Sequence, residues 1–121
     1  MRRDDLYLND IIEAADHIAA FIAGADLEAF QKSEMMRSAV VQKLAIIGEA
    51  AVRVSEGLRS RHTEVPWPQI VAFRNILIHA YFGIDWNEVW RAARNRCPIL
   101  REQVAGIIEA ESGGTHDEAA P

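Results

Sequence analysis

An all-α fold, an antiparallel bundle of four to five helices, is predicted for this 121-residue chain by three features. Apolar residues recur at helical spacing over its long stretches, helix start and stop signals punctuate them, and no segment shows the period-two alternation of a half-buried strand. The length fits one domain with a real core. That domain is placed at residues 1–111. The tail, 112–121, is rich in Gly, acidic and small residues and is expected to be disordered.

The first helix opens near Asp5 and carries Leu8, Ile11, Ile12, Ala15, Ile18, Ala19 and Ile22 on one face. It should end near Gly24, a residue suited to the left-handed turn past a helix end. Asp26 has the short acceptor side chain that caps a helical turn holding Leu27 and Phe30, and Ser33 can cap a long second helix. In that helix Val40, Leu44, Ile47, Ala51, Val54 and Leu58 step by three or four residues, and the stripe runs out near Arg61-His62. Gly48 weakens the same helix, so another helix is expected to cross closely there. Val65-Pro66-Trp67-Pro68 cannot be helical before Pro68, whose fixed φ suits the first position of a third helix, about 68–82, stopped by Gly83. Asp85-Trp86-Asn87-Glu88 has the form of a capping box and opens a fourth helix, with Trp86, Val89, Trp90, Ala93 and Cys97 on its apolar side. Pro98 should kink or restart it before Ile99, Leu100, Val104, Ile107 and Ile108.

Composition excludes several classes. No apolar run approaches the roughly 18–20 residues that span a bilayer, and no apolar signal core follows the basic N-terminus. No membrane partner and a cytoplasmic location are therefore expected. A single cysteine, Cys97, rules out an intrachain disulfide and a thiolate-rich zinc site, and reads as a small buried apolar residue. The net charge of −5 argues against a protein that coats nucleic acid, but the charge is uneven. Residues 53–101 carry eight basic and four acidic side chains, against five and nine in residues 1–52, and none and five in residues 102–121. All eight are arginines, whose planar fork suits phosphate. A local phosphate-binding surface fits this pattern, and so do ordinary solvated helix faces.

Chemistry concentrates in Arg74-Asn75-Ile76-Leu77-Ile78-His79-Ala80-Tyr81. A fixed cation, a group that exchanges protons near neutral pH and a phenolic hydroxyl sit together in an apolar helical run. At about 100° per residue, Arg74 and Tyr81 share a face, Asn75 and His79 are neighbours, and Arg74 and His79 stand about 140° apart. Helix geometry alone does not bring the last two together. Either the final turn unwinds before Gly83, or a symmetric dimer completes the site. His79 lies near the helix C-terminus, where the dipole favours positive charge. An isolated Arg-x4-His-x-Tyr is most simply a histidine capping its helix and an arginine paired with a neighbouring carboxylate.

The match extends well beyond those eight residues. Leu8-Asn9-Asp10-Ile11, Ile46-Ile47-Gly48-Glu49-Ala50-Ala51, Pro66-Trp67, Arg74-Asn75, His79-Ala80-Tyr81, Val89-Trp90 and Pro98 occur in order and at family spacing. From about Asp5 to Leu100 the chain resembles the HepT-like family of the HEPN superfamily, the toxin halves of bacterial and archaeal toxin–antitoxin pairs. The resemblance implies a metal-independent ribonuclease acting on RNA in a cleft between two protomers of a homodimer, with Arg74 and His79 as catalytic residues. It also implies an MntA-like nucleotidyltransferase antitoxin that silences the toxin by adding AMP to the motif tyrosine, here Tyr81. Asn75 matches the polar position after the arginine, and Glu49 belongs to the recurrent Gly-Glu-Ala run; both are expected to play supporting roles. No cofactor is implied, and no histidine or carboxylate pair has the spacing of metal ligands. His17, His62 and His116 receive no function. The rival reading is a non-catalytic nucleotide-binding or docking subunit of a nucleotidyltransferase complex.

Overall fold

The computed structural model describes the backbone of residues 2–119 and the side chains of residues 3–112. Apart from its first residue, the tail expected at 112–121 lies outside the described side chains. The elements are α1 (Arg2–Phe21), α2 (Leu27–Lys32), α3 (Glu34–Arg53), α4 (Glu56–Arg61), α5 (Trp67–His79), a 3-10 turn (Tyr81–Gly83), α6 (Trp86–Arg91), a π turn (Ala92–Arg96) and α7 (Cys97–Ala119). Among the described residues there is no strand, and the fold is all-α as expected. Four long helical units form the bundle: α1, α3, α5 and the run from α6 through α7. Helix α1 packs on α3 and α7, and α3 also packs on α5. No described helix is long and apolar enough to cross a membrane.

The apolar stripes read from the sequence build the core. Leu8, Ile11, Ala15, Ile18 and Ile22 of the first stripe are buried, although Ala19 is exposed and Ala14 takes an inward position instead. They meet Val40, Leu44, Ile47 and Ala51 from α3, and Val89, Leu100, Val104 and Ile107 from the last helical run. Phe30 of α2 is fully buried, with Trp86 and Trp90 against its ring. Burying each such side chain contributes about 1.5–3 kcal/mol relative to exposure. Cys97 is buried among them, and desolvation pushes its thiol up to about 12, so it serves as an apolar residue.

Most start and stop signals act as expected. Gly24 takes φ +78° just past α1. Asp26 Oδ1 accepts from Ala29 N at 2.8 Å, and Ser33 Oγ accepts from Met36 N at 3.1 Å. Helix α5 begins at Trp67, one residue before the position expected from Pro68.

Three features differ from expectation. The stripe ending at Leu58 is divided between two helices, because Val54 and Ser55 are extended and Ser55 caps α4. The cause lies far away in sequence. Asp4 of α1 is buried, and its carboxylate accepts from Ser55 N at 2.8 Å and from Ser55 Oγ at 2.6 Å. Helical periodicity continues across the break, so the apolar pattern alone conceals it. Second, only half of the capping box at Asp85 forms. Asp85 Oδ1 accepts from Asn87 N and Glu88 N, but the Glu88 carboxylate turns to Arg91 and Arg96. Third, Pro98 is accommodated by a π turn. Pro98 offers no N–H and its ring crowds the carbonyl four residues back; in the turn before it Cys97 N reaches Ala92 O, one residue further than in an α-helix.

Candidate active site

Helix α5 presents the motif, and its position is set by contact with α3. Gly48 lies directly beneath Arg74; a Cβ at Gly48 would overlap Arg74 Cβ and Cγ, with Arg74 Cα only 3.5 Å away. The close crossing expected at Gly48 is present, and Arg74 is the residue seated on it. The Arg74 side chain is 17% exposed, and its Nη2 lies 3.4 Å from Glu49 Oε2. The other oxygen of Glu49 accepts from Arg53 Nη2 at 3.2 Å. Glu49 thus holds two guanidinium groups, and the sequence expectation of a carboxylate beside the motif arginine is met. Arg74 Nε is buried with no hydrogen-bond partner among the described residues. A buried donor without an acceptor costs about 1–3 kcal/mol, and an anionic oxygen reaching it would recover that.

His79 is the last residue of α5 and is exposed, with no hydrogen bond or ion pair among the described residues. The helix ends just beyond it: Ala80 leaves α geometry at φ −128°, ψ 40°, while its N–H still donates to Ile76 O at 2.9 Å. The chain does unwind before Gly83, but only after His79. The unwinding therefore leaves the roughly 140° between Arg74 and His79 intact. In one chain Arg74 lies against α3 and His79 meets solvent, so the first of the two remedies is ruled out.

Tyr81 opens the 3-10 turn and is partly exposed, its ring edge-on to Trp86 at 6.1 Å and 5.8 Å from Phe82. The Arg37 guanidinium lies over Trp86, 5.1 Å from the ring centre. This aromatic group beside Tyr81 was not foreseen, since Arg37 sits on α3, more than forty residues earlier. Phe82 is fully exposed, and Ile76 and Ile78 are about half exposed, so apolar surface surrounds His79. Asn75 is exposed and lines an open cleft with Arg59, Ser60 and Thr63. An adjoining apolar cavity of about 360 Å³, lined by Leu44, Ile47, Ile70 and Phe73 and sharing Glu64, Pro66 and Gln69 with that cleft, excludes all of the motif residues. Among the described residues no group of three His, Cys, Asp or Glu is placed to hold a metal ion.

Fold and motif together define a helical-bundle domain of the HEPN kind, with arginine and histidine on one helix. The chain belongs to the ribonuclease HepT-like family, whose model matches residues 11–107 and so spans Gly48, Arg74, His79 and Tyr81. A candidate RNase of Methanocaldococcus jannaschii is 38% identical over 98 residues, covering 81% of this chain and 90% of that protein. A protein of Thermococcus cleftensis named "Probable ribonuclease HepT" is 36% identical over 95 residues, covering 78% of this chain and 86% of its own. A further candidate RNase, from Caldanaerobacter subterraneus subsp. tengcongensis, is 33% identical over 105 residues, covering 87% and 94%. No solved structure matches.

Proposed function

We propose that this chain is a metal-independent endoribonuclease, the toxin of a type VII-like toxin–antitoxin pair, with Arg74 and His79 as its catalytic residues. The observation that carries the reading is a family match spanning both residues, joined to a His79 that is exposed and free of intramolecular partners among the described residues. A proton-transfer group needs that freedom. The reaction is transesterification within RNA. The 2′-oxygen attacks the adjacent phosphorus while a base removes its proton. The P–O5′ bond then breaks and an acid protonates the departing oxygen, leaving a 2′,3′-cyclic phosphate and a 5′-hydroxyl.

Arg74 stabilises the charge that grows on the phosphorane oxygens, and its unpartnered Nε is a donor held ready for one of them. His79 serves as base, acid or both. A single imidazole cannot hold and lack its proton at once, and on one helix His79 and Arg74 point about 140° apart. A symmetric mate resolves both problems by bringing a second His79 to the cleft. The exposed Ile76, Ile78 and Phe82 flanking the motif supply apolar surface for that mate.

Tyr81 is the acceptor for AMP from an MntA-like nucleotidyltransferase. Its partial exposure beside Trp86, the ring that Arg37 covers, suits modification, and the added phosphate would block the cleft and compete for its arginines. Asn75 orients His79, one helical turn away, or a phosphate oxygen. The enzyme acts in the cytoplasm.

The alternative, a non-catalytic nucleotide-binding or docking subunit, draws on the Arg74–Glu49 pair, which a purely structural arginine would also form. Cleavage of RNA by purified protein in EDTA separates the two. Wild type is expected to yield cyclic-phosphate ends with a bell-shaped pH–rate profile, and His79→Ala to lose about 10²–10⁴-fold in rate. Equal cleavage by wild type, His79→Ala and Arg74→Ala would refute the assignment. Tyr81→Phe should retain cleavage and gain no AMP-sized mass with partner and ATP; such a mass increase on Tyr81→Phe would remove the tyrosine from the scheme.

A further inference from the structure

Eight arginines make residues 53–101 basic, yet most of that charge is neutralised within the fold. Arg53 and Arg74 share Glu49, Arg61 pairs with Glu111, Arg91 and Arg96 share Glu88, and Arg101 meets Asp16 and Glu102. Within this set, among the described residues, Arg59 and Arg94 have no carboxylate partner. Arg94 lies exposed in the π turn, outside the cleft that contains Asn75. Arg59 is half-buried and lines that cleft, with the hydroxyls of Ser60 and Thr63 and the amide of Asn75.

The cleft aligns with the proposed reaction centre. Pro68, Val71, Ala72 and Asn75 border it at three- and four-residue steps, one face of α5. His79 is the next step on that face, about 6 Å further along the helix axis from Asn75. A strand that leaves the scissile phosphate along α5 toward its N-terminus passes Asn75 and arrives beside Arg59. Glu56 and Glu64 also line the cleft, and Glu64 is engaged by His62 at 3.5 Å. The cleft therefore offers one cationic arm, Arg59, among three neutral donors and two carboxylates, a balance that admits a single phosphodiester of a flexible strand beside the guanidinium and repels the broad charge of a duplex.

We propose that the α4–α5 cleft is a subsite for a flanking phosphodiester of single-stranded RNA, with Arg59 as its cation and Asn75, Ser60 and Thr63 as neutral donors. The inference rests on the ribonuclease reading and says where the substrate runs beyond the cut.

The test is binding of a fluorescein-labelled twelve-nucleotide RNA bearing 2′-O-methyl groups, which cannot be cleaved by the proposed route, measured by anisotropy over a range of salt. Wild type is compared with Arg59→Ser, Arg59→Lys and Arg94→Ser. Removing one phosphate contact reduces the slope of log affinity against log salt by about 0.7 for a single strand. Arg59→Ser is expected to show that change together with about fivefold to tenfold weaker binding at low salt. Arg59→Lys should restore the slope, and Arg94→Ser, the same charge change elsewhere, should bind within twofold of wild type. The proposal is overturned if Arg59→Ser binds like wild type, if Arg94→Ser weakens binding as much, or if wild type does not bind this RNA. Its failure is distinct from failure of the ribonuclease reading: loss of the Arg59 effect with cleavage intact removes only the subsite, and binding without cleavage in EDTA removes the enzyme.

Discussion

The two ends of α5 are secured by opposite means. At the N-terminal end Val65 and Trp67 are buried and the Trp67 indole N–H donates to His62 O at 2.9 Å. The adjoining α4 is in turn tied to α1 through Asp4 and to α7 through Glu111. At the C-terminal end only Leu77 reaches the core, while Ile76, Ile78, His79, Tyr81 and Phe82 are exposed around a helix terminus closed by the Ala80 N–H on Ile76 O. Arg74 sits between the two, anchored on Gly48. One end is held in the fold, and the other leaves its polar motif residues and apolar side chains exposed.

The largest test of this contrast is His79→Ala. Besides the loss in cleavage rate, about 10²–10⁴-fold, the melting temperature should stay within the range of a neutral surface change, since no described residue binds that side chain. A large drop in Tm would make His79 structural and erase the distinction. Next in size is Gly48→Ala. Overpacking the α3–α5 crossing should cost about 1–3 kcal/mol in denaturant unfolding and also reduce cleavage, because Arg74 must shift. An unfolding midpoint equal to wild type would mean the crossing is not tight.

The smallest effect concerns the anchored end. Arg61 first, and His62 after it, hold the Glu111 carboxyl down to about 2, against an ordinary 4.5. A carboxylate with a depressed folded-state value adds stability above about pH 4.5, and that contribution is lost as the pH falls from there toward 2. Glu111→Gln should therefore flatten the pH dependence of stability across that window and lower stability at neutral pH, where the carboxylate's contribution is fully present. An unchanged acid limb would show that the cluster does not tether α7.

Periodicity and short-range chemistry were enough to read the helices, the caps at Asp26 and Ser33 and the stop at Gly24, because each depends on residues within a turn or two of one another; a glycine inside the α3 stripe signalled a crossing at Gly48 without saying that Arg74 sits on it. The break at Val54-Ser55 was hidden, since it depends on Asp4, some fifty residues away in the chain. The π turn was visible only as a disturbance at Pro98. Around the motif, the Gly-Glu-Ala run drew attention to Glu49 without placing it beside Arg74, and the 140° separation came directly from helix geometry. The sequence could not show which arginines the fold neutralises. Whether Arg59 keeps a free guanidinium depends on where every carboxylate of four other helices comes to rest.

A crossing point without a side chain has a mechanical consequence. Where α5 rests on Gly48, the spacing of the two helices is fixed by main chain against the root of Arg74, with no rotamer available to take up slack. Any displacement of α3, such as that caused by docking a second molecule on its outer face, would be transmitted to the guanidinium with little loss. The position of that guanidinium is thus tied to the position of α3.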